Sequence, residues 1–129
     1  MRTSAFEVAS RYVYPALRGR LVKILREKGL RQAEVAELLH ITQPAVSRYL
    51  RKERGALVEL SSFPDLEERL RSLASEIIER RPDEYWIHAR LVEITLYGLG
   101  RGYFCRFHAL IDPELNPDEC RVCLELFGR

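Results

Sequence analysis

Gln32-Ala33-Glu34-Val35-Ala36-Glu37-Leu38-Leu39-His40-Ile41-Thr42-Gln43-Pro44-Ala45-Val46-Ser47-Arg48-Tyr49-Leu50 is the stretch on which the fold turns. Val35, Ala36, Leu38 and Leu39 recur at helical spacing, which predicts a short helix over 32–39. A second helix is expected from Gln43 to about Lys52. Thr42 suits its N-cap, because a hydroxyl there accepts from a first-turn N–H. Pro44 falls in the first turn, where a missing N–H costs nothing. Gly55 closes that helix. Only His40-Ile41-Thr42 remain for the turn between the two. Ala36 is small where the helices must approach, and Val35, Leu39, Ile41, Val46 and Leu50 supply a joint core. Gln43, Pro44, Ser47, Arg48 and Arg51 are left on the outer face of the second helix. Such a helix fits the DNA major groove, about 12 Å wide, with its N-terminal residues toward the base edges.

Outward from this pair the chain reads as helix almost throughout, and no alternating run bounded by hairpin turns suggests a strand. Residues 5–13 form a short first helix. Pro15 marks the start of the next, which carries Leu17, Leu21, Ile24 and Leu25 and ends at Gly29. Residues 55–64 read as a linker. Pro64-Asp65 opens a helix with the stripe Leu66, Leu70, Leu73, Ala74, Ile77 and Ile78. After the break at Arg80-Arg81-Pro82-Asp83 a further helix runs to Leu99 with Trp86, Ile87, Leu91 and Ile94 as burial candidates, closed by Gly98, Gly100 and Gly102. The expected architecture is all-α. A helix-turn-helix bundle occupies 1–56, a helical, dimerising region 57–102 and a small Cys/His tail 103–129.

The central stretch resembles the helix-turn-helix of phage-repressor-like (XRE-type) regulators. The leading Gln32, mid-helix Ala36, apolar Leu39 before the turn and Val46-Ser47 stand where that family has them. His40 departs from the usual glycine; histidine is more frequent than most residues at positive φ. The resemblance implies double-stranded DNA as partner. It places Gln43, Pro44, Ser47 and Arg48 against bases and Thr42, Arg51 and Lys52 against phosphates, with Gln32 on a phosphate at its helix N-terminus. Arg48 matches guanine, since a guanidinium fork fits the O6/N7 pair, and Gln43 suits adenine or the backbone. Regulators of this kind dimerise to span half-sites one DNA turn, ~34 Å, apart, and the helices from 65 to 99 are the candidates for a two-fold interface.

The tail holds all three cysteines. Cys105, His108, Cys120 and Cys123 read as C-x2-H, eleven residues, then C-x2-C. Paired two-residue spacings let four soft or borderline donors face one ion, which suits tetrahedral Zn2+ in a Cys3His site. A metal would fold a segment with little core of its own. An iron–sulfur cluster with one histidine ligand is the rival, and a Cys120–Cys123 redox pair a third possibility. Three unrelated thiols and a surface histidine are the plainer alternative; it leaves the grouping within 19 residues without a reason. Together with the preceding Arg11-Tyr12-Val13-Tyr14-Pro15-Ala16-Leu17-Arg18 segment and the central motif, this tail resembles a group of small archaeal transcriptional regulators.

Charge agrees with an anionic partner for one half. Residues 1–60 carry 12 Lys/Arg against 6 Asp/Glu, and residues 61–129 carry 9 against 13, so a net +2 covers a basic first half and an acidic second. Lysine is confined to Lys23, Lys28 and Lys52 and side-chain amides to Gln32, Gln43 and Asn116, a bias that weakly favours a thermophilic source. Of the chain, 47% is hydrophobic, enough for a core. No run reaches the ~18 apolar residues of a membrane span. No secretory leader is read, and an odd cysteine count argues against a disulfide framework, so a reducing cytoplasm is expected. No catalytic constellation stands out: Ser61 and Ser62 lack partners, the glycines do not follow a strand, and Glu67, Glu68, Glu76 and Glu79 read as a solvated helix face. An enzyme is not expected. A protein-interaction module on the same fold is the reading in which the chain never meets DNA.

Overall fold

A computed structural model describes residues 2–51 and 58–128. Its elements are α1 (Ala5–Val8), a π-helical turn (Ala9–Val13), α2 (Tyr14–Glu27), α3 (Gln32–Leu39), α4 (Gln43–Leu50), α5 (Pro64–Arg80), α6 (Glu84–Gly100), α7 (Cys105–Ile111) and α8 (Val122–Phe127). The described residues contain no strand, and no helix among them is long and apolar enough to cross a membrane. The architecture is all-helical, as the sequence predicts.

The first departure lies at Pro15. The break expected there does not occur: α1, the π turn and α2 run on continuously, with right-handed helical backbone at Val8, Val13 and Tyr14. Proline has no N–H for the carbonyl four residues back, and its ring crowds that carbonyl in a regular helix. Widening the preceding turn relieves the clash. The Tyr14 N–H reaches five residues back to the Ala9 carbonyl, the pattern of a π-bulge. Ser4 caps the start, its hydroxyl accepting from Glu7 N at 3.2 Å while the Glu7 carboxylate accepts from Ser4 N at 3.3 Å.

α2 is the hub. Leu17, Leu21, Val22, Ile24 and Leu25 on it are completely buried, and α3, α4, α5 and α6 all pack against it. Full burial of one such side chain is worth about 1.5–3 kcal/mol, so this helix carries a large share of the hydrophobic stabilisation. The α5 stripe of Leu66, Leu70, Leu73, Ala74 and Ile77 is buried within the chain. Those side chains are therefore spent on the intramolecular core and are not available to a two-fold partner.

Ion pairs seam α2 to α5. Arg20 forks onto Glu67, Nε to Oε1 at 2.8 Å and Nη2 to Oε2 at 2.7 Å, and its Nη1 reaches Glu27 at 3.2 Å. Arg71 joins both carboxylates, at 3.1 Å to Glu27 and 2.8 Å to Glu67. Glu67 is thus an anchored residue and not the solvated one its helix position suggests. The Arg20 hydrogen bonds hold its carboxyl below the usual carboxylate range. In the same first turn of α5, Asp65 accepts from the hydroxyls of Tyr97 and Tyr103, and the Tyr103 ring stacks on Phe63 at 4.3 Å.

Gly98 lies inside α6, whereas Gly100 is its last residue, as expected. Their role is close approach. A Cβ on Gly98 would meet the Phe104 ring, and one on Gly100 would run into the Phe127 carbonyl oxygen of α8. Gly102, at φ +75°, makes the turn out of α6. The chain ends are clamped together. Asp112, buried, accepts from the backbone N–H groups of Arg2 (2.6 Å) and Thr3 (3.0 Å), and Tyr12 meets the Phe107 ring edge-on at 5.1 Å.

Two outcomes test this packing. Gly100→Ala forces α8 off α6, and thermal unfolding should register a loss of about 1–3 kcal/mol, the usual cost of overpacking; an unchanged melting temperature would contradict the contact. Glu67→Gln should destabilise at neutral pH. Because the Glu67 pKa is lowered in the folded state, its contribution is present above the ordinary value of 4.5 and is lost as pH falls through the lowered one. The stability gap between wild type and variant should therefore shrink on acidification.

Candidate nucleic-acid interface

The geometry of the α3–α4 pair follows from how α3 stops. His40 adopts the left-handed conformation, φ 58° and ψ 38°. The Ile41 amide then reaches back to the Ala36 carbonyl at 3.0 Å and the His40 amide to the Glu37 carbonyl at 3.3 Å, the paired bonds of a Schellman cap. This reverses the chain within three residues. Thr42, in extended backbone, restarts the helix, its Oγ1 accepting from Ala45 N at 3.2 Å. The His40 side chain also holds the turn to the rest of the molecule: Nε2–H donates to the Pro82 carbonyl, in the α5–α6 connection, at 2.9 Å. Glycine in that position would leave the turn without this tether.

Packing fixes the rotation of α4. Ala45, Val46 and Tyr49 are buried, and the helix lies on α2 and α3. Val35 and Leu39 are buried as expected, while Ile41 and Leu50 are half-buried against the same core. The sequence reading missed Tyr49, which is buried close to Tyr14; its i+3 spacing from Val46 was the available signal. Arg31 was missed too. It caps α3 by accepting Glu34 as partner, its backbone N–H and Nε both donating to Glu34 Oε1 at 3.1 and 2.9 Å, and these bonds lower the Glu34 pKa.

The residues expected at the DNA surface fall as follows. Thr42, Gln43 and Pro44 are exposed at the N-terminus of α4; Ser47 and Arg48 are half-buried one turn on; Arg51 is exposed just past its end. Arg51 Nη1 donates to Ser47 Oγ at 2.7 Å. The Arg48 Nε is shielded from solvent and has no hydrogen-bond partner among the described residues. Gln32 is half-buried at the start of α3. The expected Lys52 and the Gly55 stop lie outside the described residues. Gln43, Pro44, Ser47 and Arg48 thus lie along the face of α4 opposite the buried Ala45, Val46 and Tyr49.

In the tail, Cys105 and His108 sit one turn apart in α7, Cys123 in α8 and Cys120 just before it. Burial pushes the Cys105 thiol up, with Cys120 adding to it; burial does the same at Cys123, with Cys105 and Cys120 adding. The three thiols therefore share one neighbourhood. His108 is buried, and its Nε2–H donates to the Thr3 carbonyl at 2.6 Å. No group of three or more His, Cys, Asp or Glu side chains among the described residues is arranged to hold a metal ion.

The turn geometry predicts a stability order. His40→Ala loses the Pro82 hydrogen bond and keeps the left-handed strain, and should cost about 1–2 kcal/mol in urea unfolding. His40→Gly loses the same bond and sheds the strain, so it should be the more stable of the two. The reverse order would contradict the left-handed turn.

A helix-turn-helix family model matches residues 21–60, from the second half of α2 through α4 to Leu60. Comparison with curated proteins and with solved structures finds no match. The match marks residues 21–60 as a helix-turn-helix domain.

Proposed function

We propose that this protein is a sequence-specific transcriptional regulator that reads double-stranded DNA with the outer face of α4. The observation that carries the reading is the outer face of α4, with Gln43 and Pro44 exposed and Ser47 and Arg48 half-buried one turn on, held by a tight turn inside a helix-turn-helix match. Arg48 and Gln43 carry base selectivity. Thr42, Arg51 and Lys52 hold phosphates, as does Gln32 at the α3 N-terminus. Ser47, which accepts from Arg51, orients that guanidinium toward the backbone.

A single recognition helix covers one half-site, so the active species is a homodimer. With the α5 stripe buried, its interface draws on apolar side chains left exposed elsewhere, of which Phe6, Leu110 and Leu126 are the most open of the aliphatic and phenyl groups. Light scattering should give twice the 15.1 kDa chain mass at micromolar concentration, and a strict monomer on its operator would remove this part of the reading.

We further propose that Cys105, Cys120, Cys123 and His108 take up structural zinc. The support is the donor chemistry: three thiols in one neighbourhood, and a histidine whose Nε2–H is bound to a carbonyl, the usual way a ligating imidazole is oriented for its other nitrogen. Zinc there would supply folding free energy to the tail, and the described arrangement must draw in around the ion to bind it. About one zinc per chain by elemental analysis, lost with thermal stability in Cys120→Ser, is the expected result. Iron with sulfide would mean a redox-responsive cluster instead, and a metal-free folded protein indifferent to chelators would return the three cysteines to free thiols.

Operators selected from random duplexes should be bound with affinity that falls steeply as salt rises, because phosphate contacts release counterions. Arg48→Ala should cost about 1–3 kcal/mol on the selected operator and relax one base position. Salt-independent binding, or no binding to any duplex, would leave the protein-interaction reading.

A further inference from the structure

A cleft of about 420 Å³ opens beside the helix-turn-helix, where the first half of α2, the end of α3 and the first turns of α6 meet. That volume lies within the usual range for small-molecule sites, roughly 300–1,000 Å³. Leu39, Ile87 and Leu91 give it an apolar lining. One wall is fixed: the Tyr14 hydroxyl is bonded to His88 Nδ1 at 2.8 Å. Arg18 and Glu84 both line the cleft, and neither forms an ion pair with the other or with any other described residue. A cation and an anion lining one cleft with apolar side chains, and unpaired with each other, are complementary to a zwitterion with an apolar side chain.

The cleft also borders the turn that sets α4. Leu39 precedes His40, and Glu84 follows Pro82 by two residues, so the lining lies at both ends of the His40–Pro82 hydrogen bond. A ligand wedged there bears on that bond from either side.

We propose that this cleft binds an α-amino acid with a bulky apolar side chain, carboxylate at Arg18 and ammonium at Glu84, and that its occupancy alters DNA affinity through the Leu39–His40 turn. The second half rests on the DNA-binding reading; the first does not.

Titration calorimetry on the full chain without DNA tests the site. The probes are L-leucine, L-phenylalanine, and two leucine analogues that each lack one charge, 4-methylpentanoate and 3-methylbutylamine. Saturable binding of at least one amino acid is expected, with each leucine analogue about tenfold or more weaker than leucine, and with Arg18→Gln and Glu84→Gln each costing about tenfold. Unchanged melting temperatures of the two variants verify that they fold. No binding of either amino acid at millimolar concentration, or analogues and variants that bind as well as the originals, would overturn the assignment. For the coupling, the amino acid should shift the affinity of wild type for its operator by about fivefold or more and that of His40→Gly by less. Binding without such a shift would sink the coupling and keep the site. A chain that binds the amino acid and no DNA would refute the regulator reading and the coupling together.

Discussion

The left-handed residue at His40 is the constraint from which the functional surface follows. Its positive φ lets the amides of His40 and Ile41 close back on α3, so that α4 can begin two residues later at an angle set by the backbone. Everything that makes Gln43, Pro44, Ser47 and Arg48 a surface depends on that angle. A β-carbon in this conformation carries a cost that glycine avoids. Here the side chain gives something back, since its Nε2 binds the Pro82 carbonyl and joins the turn to the α5–α6 connection. The strained position and the tether are one residue, which is why the turn is both the hinge of the interface and its link to the rest of the core.

α2 supplies the second constraint. It is buried along most of its length and touches α3, α4, α5 and α6, so α4 rests on the same rod as the helices behind it. The π turn before Pro15 extends that rod to the N-terminus, and Asp112 with His108 fastens the N-terminus to the tail. The cysteine-bearing tail is thereby connected to the helix that carries α4 through a continuous helix and two side chains. A change in the tail has a packed route to α4.

Legibility in the sequence tracked the range of the interactions. The bounds of α3 and the start of α4 came from local rules, namely helical spacing, a threonine cap and a three-residue turn, and the left-handed His40 came from the resemblance, which has glycine there. Where a local rule had two readings, the other one sometimes held. Pro15 was expected to start a helix and instead sits in a continuous one, because a wider turn absorbs its ring. Gly98 looked like a helix stop and is instead a contact point for Phe104 inside α6, while Gly100 both ends the helix and meets α8. Contacts between distant residues left no trace in the pattern. Nothing near Glu67 signals Arg20, and nothing near His108 or Asp112 signals Thr3, more than 100 residues away. Of the candidate DNA surface, residue type and helix face were readable; the hydrogen bond from Arg51 to Ser47 and the shielded Arg48 Nε were not, because both depend on side-chain conformation. The spacing of the cysteines was plain, while the commitment of His108 Nε2 to a backbone carbonyl needed the fold.

The account stands on α4 being the surface that meets DNA. Backbone amide NMR of the full chain, titrated with a duplex selected for binding, tests this directly. The account predicts that the largest shift changes fall on Thr42 to Arg48 and at Gln32, with α5 and α6 little affected. Changes centred on α5, α6 or the tail, with α4 unmoved, would contradict it.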